Sequence, residues 1–317
     1  MVGDRSEGHL PVMLEEVMAA LSTHAGSFTI DATVGGGGHA IRILEASAPD
    51  GPLLGLDADP SAIARAALRL RPFGDRVTLR QANFELLETV APAAGFGAVD
   101  GILLDLGLSS DQLADGARGF SFHATGPLDL RFDTSTGRPA SALLAELDAA
   151  DLARLLRDYG EEPFAGRIAR AIVRDRQTGP VATADQLAAL VVRVVPTPRH
   201  GRRIHPATRT FQALRIAVNR ELEVLPRALE AALGLLRPGG RLAVLSYHSL
   251  EDRLVKRFVA RERRGCVCPP ELPVCVCGHR PRLRPVGAAP GRPTATEVAA
   301  NPRARSARLR AAERLAA

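Results

Sequence analysis

A run of four consecutive glycines at positions 35–38 lies between a hydrophobic segment that ends at Asp31 and a segment with helical periodicity. A folded domain favours glycine where the backbone adopts a positive φ or where another group approaches it closely. A second acid, Asp57, follows Gly38 by 19 residues, at the end of the next predicted strand. In nucleotide-binding α/β domains such a turn lies against the ligand, and an acid at this distance accepts hydrogen bonds from ribose hydroxyls. The combination favours a nucleoside-binding site over a purely structural turn.

The residues around the glycines bear on the chemistry of the nucleoside. The G-x-G-x-x-G/A pattern of dinucleotide-binding turns can be fitted to Gly35, Gly37 and Ala40, so a nicotinamide-dependent oxidoreductase is one interpretation. Asp31, however, suits a ligand with a positive centre better than a pyrophosphate. S-adenosylmethionine carries an ammonium and a sulfonium group, and it is the cofactor that we predict.

The elements that must position these residues predict a doubly wound α/β domain, because short hydrophobic strands alternate with amphipathic helices. One predicted strand precedes the glycines, the next ends near Asp57, and a later one ends near Asp105. The four predicted strand segments read SFTIDATV, GPLLGLDAD, DRVTLRQA and AVDGILLDLG.

Helical patterns replace the strand signals in the middle of the chain, and a strand signal returns in RPGGRLAVLSYHS. We therefore expect one α/β domain that is interrupted by a helical insertion. The predicted segments are the first part of the α/β domain at 1–112, a helical substrate-recognition domain at 113–205, the remainder of the α/β domain at 206–290, and a basic C-terminal tail at 291–317.

Basic residues outnumber acidic residues by 41 to 35 in this chain of 317 residues, which gives a net charge of +6. No acid occurs between Arg199 and Arg220, and residues 282–317 contain eight arginines but only two acids. Both segments resemble surfaces that face a polyanion, although solvated faces of an arginine-rich protein have the same composition. A noncatalytic RNA-binding protein is therefore a further interpretation.

The sequence has no feature of a membrane protein. Its apolar runs fall short of the roughly 20 residues that a membrane-spanning helix needs. The N-terminus is polar and lacks the hydrophobic region of a signal peptide. We therefore expect a cytoplasmic protein without a membrane partner.

The four cysteines of the chain, Cys266, Cys268, Cys275 and Cys277, lie within 12 residues of each other. Four thiolates suit a tetrahedral zinc ion, but structural zinc sites usually space each pair as C-x(2–4)-C. A zinc site and reduced loop thiols remain the alternatives, and disulfides are less expected in a cytoplasmic protein.

Nine motifs in order carry a resemblance that covers nearly the whole chain. The sequence resembles the family of bacterial 16S ribosomal RNA cytosine-N4 methyltransferases. The motifs are GHLPVML, DATVGGGGHA, GLDADPSAI, GILLDLGLSSDQL, RGFSF, GPLDLRFD, YGEE, HPATRTFQALRIAVNRELEVL and LSYHSLEDRLVKRF.

The resemblance implies a class I, Rossmann-like, S-adenosylmethionine-dependent methyltransferase with an inserted all-helical subdomain. Its implied substrate is a cytidine in the decoding centre (P site) of 16S ribosomal RNA within the small ribosomal subunit. Taken alone, Phe84 could instead be a core residue and His39 could simply begin a helix. The cofactor contacts that the resemblance implies are Gly37, Gly38, His39, Asp57, Phe84, Asp105 and Gln112.

The N4 amine of cytosine is a poor nucleophile because its lone pair is delocalised into the ring, so the enzyme must align it and accept its hydrogens. Other amino-methyltransferases have a polar residue followed by Pro-Pro-aromatic after the fourth strand, where this chain reads DLGLSS. Asp105 is therefore the first catalytic candidate, for the cofactor, the amine or both. Ser246, Tyr247 and His248, at another predicted strand end, are the second candidates, and His248 could equally be a helix cap.

The target base must leave its stack to reach the cofactor, and a basic surface must hold the RNA phosphates. We predict that Arg202, Arg203, His205 and Arg209 form that surface. The sequence does not distinguish a monomer from a homodimer.

Overall fold

The computed structural model describes residues 11–196, 205–269, 271–272 and 274–316, and for residues 288–290 the description covers the backbone alone. The chain divides into two compact units, Met1–Gly107 with Leu222–Ala317, and Leu108–Glu221. We call the first the α/β unit and the second the helical unit. Among the described helices, none combines the length and the apolar character that a membrane span requires.

The α/β unit is built on one sheet, which has seven strands in the described residues and the order β3-β2-β1-β4-β5-β7-β6. Strands β1 to β5 run parallel to one another, whereas β7 is antiparallel to both β5 and β6. The strands are β1 (Thr29–Asp31), β2 (Leu53–Asp57), β3 (Val77–Gln81), β4 (Val99–Asp105), β5 (Leu236–Ser246), β6 (Leu283–Gly291) and β7 (Arg308–Arg314).

The described helices are α1 (Leu14–Leu21), α2 (Gly38–Ala46), α3 (Pro60–Leu70), α4 (Leu87–Ala93), α5 (Ser110–Ala114), α6 (Ala140–Glu146), α7 (Ala149–Gly160), α8 (Ala165–Asp175), α9 (Ala184–Val194), α10 (Thr208–Asn219), α11 (Glu221–Leu235), α12 (Ser249–Glu262) and α13 (Ala295–Ala300). Helices α5 to α10 belong to the helical unit, and α11 begins at that unit's last residue.

Strand β4 shows why the sheet is covered on both faces. Successive side chains of a strand point to opposite faces, and Ile102 and Leu104 join one apolar cluster while Leu103 joins another. The first cluster contains residues of α4, α11 and α12, and the second contains residues of α1, α2 and α3. The continuous hydrophobic run of β4 is typical of a parallel strand buried on both faces.

The helical unit has its own apolar core, which includes Ile168 of α8, Leu187 of α9 and Phe211 of α10. Helices α7 and α10 pack closely at Gly160, which has no side chain. A Cβ at this position would lie 2.5 Å from the backbone oxygen of Arg209. This packing makes the unit larger than the predicted insertion: it spans 108–221 rather than 113–205.

The C-terminal segment also differs from its prediction as a basic tail at 291–317. Residues 308–314 form β7, which pairs with β5 and β6 inside the sheet. Leu309 and Ala311 are buried. Arg308 and Arg310 each form an ion pair with the carboxylate of Asp252, at 2.9 and 2.6 Å. Residues 308–311 alternate basic and apolar side chains because Leu309 and Ala311 point into one apolar cluster, so the arginine content alone was misleading.

Candidate active site

Three aspartates meet at one edge of the sheet, because each is the last residue of a parallel strand. Asp31 ends β1, Asp57 ends β2 and Asp105 ends β4. Strand β1 lies between β2 and β4, and all three point in the same direction. Ligands of doubly wound α/β domains bind outside this carboxyl edge, so the three acids are placed where a nucleoside would bind.

The glycine loop joins β1 to α2 as a tight turn. Gly37, the N-cap residue of α2, has a φ of 82°, in the left-handed region that favours glycine. A Cβ at Gly38 would lie 2.9 Å from Cγ of Pro11. The backbone conformation explains why residue 37 is glycine, and packing against Pro11 explains why residue 38 is glycine.

Asp57 holds the glycine loop against the end of β2. Its Oδ2 accepts the backbone N–H of Gly35 at 2.9 Å, and its Oδ1 accepts that of Asp59 at 2.9 Å. Burial raises the pKa of Asp57 to about 6, although these two hydrogen bonds act in the opposite direction. Each carboxylate oxygen keeps a second lone pair that can accept a hydroxyl hydrogen.

Asp31 is the most deeply buried of the three acids, with 1% of its surface exposed. Its Oδ1 accepts the backbone N–H of Thr33 at 3.2 Å. The pKa of Asp31 is raised to about 8, chiefly by burial and also by the charges of Asp105 and Asp57, whereas the hydrogen bond from Thr33 lowers it. A cation bound here would favour the ionised carboxylate.

Asp105 is oriented by contacts from two other segments of the chain. The hydroxyl of Tyr247 donates to Oδ1 of Asp105 at 2.8 Å, and the backbone N–H of Asp105 donates to Oγ1 of Thr33 at 2.6 Å. Burial and the adjacent charge of Asp105 raise the pKa of Tyr247 well above its ordinary value. The phenol therefore remains a donor at neutral pH.

His39 lies on the other side of the Asp105 carboxylate. Its Nδ1 is 3.6 Å from Oδ2 of Asp105, and its Nε2 is 3.0 Å from the backbone oxygen of Val12. Because a carbonyl oxygen can only accept, Nε2 carries the hydrogen and Nδ1 faces the acid. The buried ring of His39, at the start of α2, therefore lies between the backbone oxygen of Val12 and the carboxylate of Asp105.

The two residues that flank Tyr247 have structural partners. Ser246 is buried in β5, and its hydroxyl donates to the backbone oxygen of Arg308 in β7 at 3.4 Å. His248 is the N-cap of α12, where its Nδ1 accepts the backbone N–H of Glu251 at 3.4 Å. His248 therefore has the helix-cap position that was the alternative to a catalytic role.

Comparison with known proteins decides the family. The chain matches the model of the MraW methylase family over residues 6–315. This chain belongs to the MraW methylase family. It is 56% identical over 311 residues to ribosomal RNA small subunit methyltransferase H of Thermomicrobium roseum, which covers 98% of this chain and 95% of that protein. The protein of the same name from Symbiobacterium thermophilum is 52% identical over 309 residues, or 98% and 97% of the two chains.

The methylase is therefore an S-adenosylmethionine-dependent methyltransferase with a Rossmann-like fold, and the oxidoreductase interpretation is wrong. A solved rRNA methylase from Streptococcus thermophilus is 12% identical and superposes with a TM-score of 0.42 over 96% of this chain and 92% of that chain. That similarity is too low to bear on the assignment.

The carboxyl edge of the methylase fits this cofactor. Asp57 ends β2 with lone pairs that can accept ribose hydroxyls. Asp31 and Asp105 bring two further carboxyl groups to the same edge, where an ammonium or a sulfonium would relieve the repulsion between the acids. These residues could therefore hold S-adenosylmethionine at both ends.

Two predicted cofactor contacts have other neighbours in the methylase. Phe84 follows the end of β3 in a short 3₁₀ turn and packs partly against the apolar cluster under α4. Gln112 belongs to the helical unit, where its Oε1 accepts the backbone N–H of Ser109 at 3.0 Å and caps α5. Their roles as ligand contacts remain predictions.

Two of the four predicted RNA-binding residues, His205 and Arg209, are described, and both belong to the helical unit. Arg202 and Arg203 lie outside the described residues. The ring of His205 stacks on Phe122 with 4.6 Å between ring centroids, and the exposed Arg209 donates from a guanidinium nitrogen to the backbone oxygen of Glu161 at 3.0 Å.

Sequence reasoning missed Thr33 and the backbone oxygen of Val12, although both contact predicted site residues. A lone threonine in a loop has no distinguishing pattern, and a backbone oxygen has none at all. The motif GHLPVML did point to the segment that contains Val12, but not to its contact with His39.

Proposed function

We propose that this chain methylates N4 of a cytidine in the decoding centre of 16S ribosomal RNA, within the small ribosomal subunit. The names of its close relatives support a small-subunit ribosomal RNA substrate, and the motif resemblance supports cytosine N4. The observation that carries the proposal is the Asp105 carboxylate, which Tyr247 and His39 flank at the carboxyl edge of the sheet.

Asp105 is the group that we assign to the amine. Tyr247 donates to Oδ1, and because each carboxylate oxygen has more than one lone pair, we assign the carboxylate of Asp105 as the acceptor of a hydrogen of N4. A hydrogen bond from N4 to a carboxylate raises electron density on the nitrogen as its bond to carbon forms. The carboxylate of Asp105 then accepts the proton that N4 loses. When bound, S-adenosylmethionine supplies a sulfonium methyl group and retains the electron pair of the broken carbon–sulfur bond.

The other residues of the edge hold the cofactor in this proposal. The backbone at Gly37 and Gly38 forms the bed, with His39 beside it, and Asp57 accepts the ribose hydroxyls. Asp31 faces the positive end of the methionine part, to which Gln112 adds a polar contact. Phe84 lies against the adenine.

The RNA contact is assigned to the segment that includes Arg202, Arg203, His205 and Arg209. No acid interrupts residues 199–220, so positive charge is concentrated in this stretch of the sequence. Phosphate contacts of this kind position an RNA but do not specify a base. We therefore assign base selection to the residues around Asp105.

A methyl-transfer assay tests the proposal. Small ribosomal subunits from cells that lack the activity are incubated with the protein and methyl-labelled S-adenosylmethionine, and the nucleosides are separated after digestion. We expect label in N4-methylcytidine from 16S RNA. Label in another nucleoside would overturn the assigned acceptor, and cofactor binding without any transfer would favour a noncatalytic binding protein.

The variant Asp105→Asn separates the role of Asp105 from cofactor binding. Asparagine can still accept from Tyr247 but cannot take a proton from N4, so we expect single-turnover methyl transfer to fall by at least about 100-fold. Cofactor affinity, measured by calorimetry, should change far less. Transfer at the wild-type rate with normal cofactor binding would reject the catalytic role of Asp105.

A further inference from the structure

The four cysteines bring their sulfur atoms to one point in the loop between α12 and β6. The four Sγ atoms all lie within 4.8 Å of one another. Three of them form a triangle, with 3.4 Å between Cys266 and Cys275, 3.5 Å between Cys275 and Cys277, and 3.8 Å between Cys277 and Cys266. Cys268 supplies the fourth sulfur.

These distances are close to those of a metal tetrahedron. A zinc–sulfur bond of about 2.3 Å and tetrahedral angles place two thiolates about 3.8 Å apart. Two separate disulfides would bring the sulfurs together in pairs but would not require all four to converge. The cluster therefore has the size of a single four-thiolate site.

The C-x-C spacing looked too tight for zinc, yet the folded loop brings the two pairs together. All four sulfurs lie within 4.8 Å of one another. The intervening residues Val267 and Val276 are exposed, at 41% and 78% of their surface. The two pairs therefore supply four sulfur donors at one point.

Backbone amides point at the sulfurs. The N–H groups of Cys268 and His279 donate to Cys266 and Cys277, each at 3.4 Å, and that of Val267 donates to Cys277 at 3.5 Å. Hydrogen bonds of this kind stabilise the negative charge of metal-bound thiolates and orient them.

The loop has few other sources of order. Its base is closed by Glu262, whose backbone oxygen accepts the N–H of Arg282 at 2.7 Å and whose carboxylate accepts from Arg261 and Arg282 at 2.5 Å each. Beyond this base, the described residues of the loop contain no helix or strand, and Val274 is 70% exposed. Its valines and three of its four cysteines are exposed, so the described residues of the loop form no apolar core and a metal cross-link would supply the missing order.

We propose that Cys266, Cys268, Cys275 and Cys277 bind one zinc ion in a closed tetrahedral site that cross-links this loop. Zinc fits because four thiolates leave no open coordination position, which is typical of structural rather than catalytic zinc. The site is separate from the methyl-transfer chemistry and does not depend on the proposed RNA substrate.

Metal content tests the site directly. The full-length protein is purified under reducing conditions with zinc present, and its metals are measured by mass spectrometry. We expect about one zinc ion per chain. Cobalt(II) added to metal-free protein should produce the visible absorption and the thiolate charge-transfer bands of tetrahedral four-sulfur coordination.

Two variants provide the comparison. Cys275→Ser removes one ligand and should weaken cobalt affinity by at least about tenfold. Val274→Ser changes the adjacent exposed residue, keeps all four thiols and should leave zinc content and cobalt affinity unchanged. Circular dichroism checks that both variants are folded.

Several results would overturn the proposal. Four reactive thiols without metal in zinc-replete protein, two disulfides in protein kept under reductant, or iron in place of zinc would each do so. Equal zinc content in Cys275→Ser and the wild type would also reject these ligands.

Discussion

Asp105 and Tyr247 are 142 positions apart in the chain, yet the hydroxyl of one donates to the carboxylate of the other at 2.8 Å. Gly107 allows this approach, because a Cβ at that position would lie 3.1 Å from the ring of Tyr247. At the scale of single residues, Tyr247 acts as a positioning residue: its hydroxyl orients the carboxylate of Asp105.

The variant Tyr247→Phe tests this role. It removes a hydrogen bond to a charged group, worth about 1.5–3 kcal/mol, so we expect kcat to fall by about 10- to 100-fold. Because the ring remains, KM for the cofactor should change little. Steady-state kinetics of methyl transfer measure both constants.

The chain offers a matched control in Tyr159, its other tyrosine, which lies in α7 of the helical unit. Tyr159→Phe should leave kcat within about twofold of the wild type. An equal loss of kcat in the two variants would contradict a specific role for the Tyr247 hydroxyl.

Asp31 predicts a pH dependence of stability. Its pKa is about 8 in the fold but about 3.9 in an unfolded chain. The protonated form therefore contributes stability that is complete below about pH 4 and is lost as the pH rises through 8. Between pH 6 and 9, the free energy of unfolding should fall by about 1–3 kcal/mol more in the wild type than in Asp31→Asn.

Urea denaturation of the cofactor-free protein at several pH values measures this difference. Comparison with Asp31→Asn removes the contributions of the other titrating groups, since both proteins share them. Parallel stability curves for the two proteins from pH 6 to 9 would show that the carboxyl of Asp31 does not titrate in this range.

At the scale of elements, the glycine loop combines a turn with the start of a helix. Gly37 is in the left-handed region, and a Cβ there would lie 3.4 Å from Leu70 of α3. The loop is also tied to β2 through the carboxylate of Asp57. A change in the loop is therefore transmitted to the acid that we assign to the ribose.

The variant Gly37→Ala should destabilise the fold by about 1–2 kcal/mol, because a side chain in the left-handed region is strained, and it should also weaken cofactor binding. Gly97→Ala is the control, since Gly97 has no left-handed φ and a Cβ there would meet open space; its effect should stay below about 0.5 kcal/mol. Thermal unfolding and calorimetry provide the two measurements. Equal stability of the two variants would contradict the conformational argument.

At the scale of the whole molecule, the two arginine-rich segments of the sequence differ in their structural roles. Arginines of β7 form ion pairs with Asp252 inside the α/β unit. The basic segment at 199–220 combines residues of α10, which carry part of the helical core, with Arg202 and Arg203 ahead of them. The RNA assignment therefore depends on Arg202 and Arg203 more than on the C-terminal arginines.

Charge reversal of Arg202 and Arg203 to Glu should weaken binding to 16S RNA by at least about tenfold at low salt and reduce the dependence of log affinity on log salt by about one to two. Cofactor affinity should not change. The control reverses Arg154 and Arg157, two exposed residues of α7. Filter binding at several salt concentrations measures the RNA affinity of both variants. An equal loss of RNA affinity in the two variants would indicate a general effect of net charge rather than a specific surface.

Local patterns were sufficient for the framework of this protein. Strand and helix periods predicted the α/β unit, and the glycine turn with Asp31 and Asp57 predicted a nucleoside site at the carboxyl edge. The predicted α/β fold is confirmed, because it depends on residues that are close in sequence, whereas the nucleoside site stays a prediction. The parallel order of the strands brings the predicted site residues Asp31 and Asp57 to one edge.

Tertiary packing decided the rest. Tyr247, rather than Ser246 or His248, reaches Asp105, because β7 engages the serine and α12 engages the histidine. The basic C-terminal segment became a strand of the sheet, and two C-x-C pairs met at one point. The sequence by itself determined which residues could do chemistry and which strand ends carry them. Only the folded chain decided which of them meet, because contacts between distant segments depend on pairing and burial that no local pattern records.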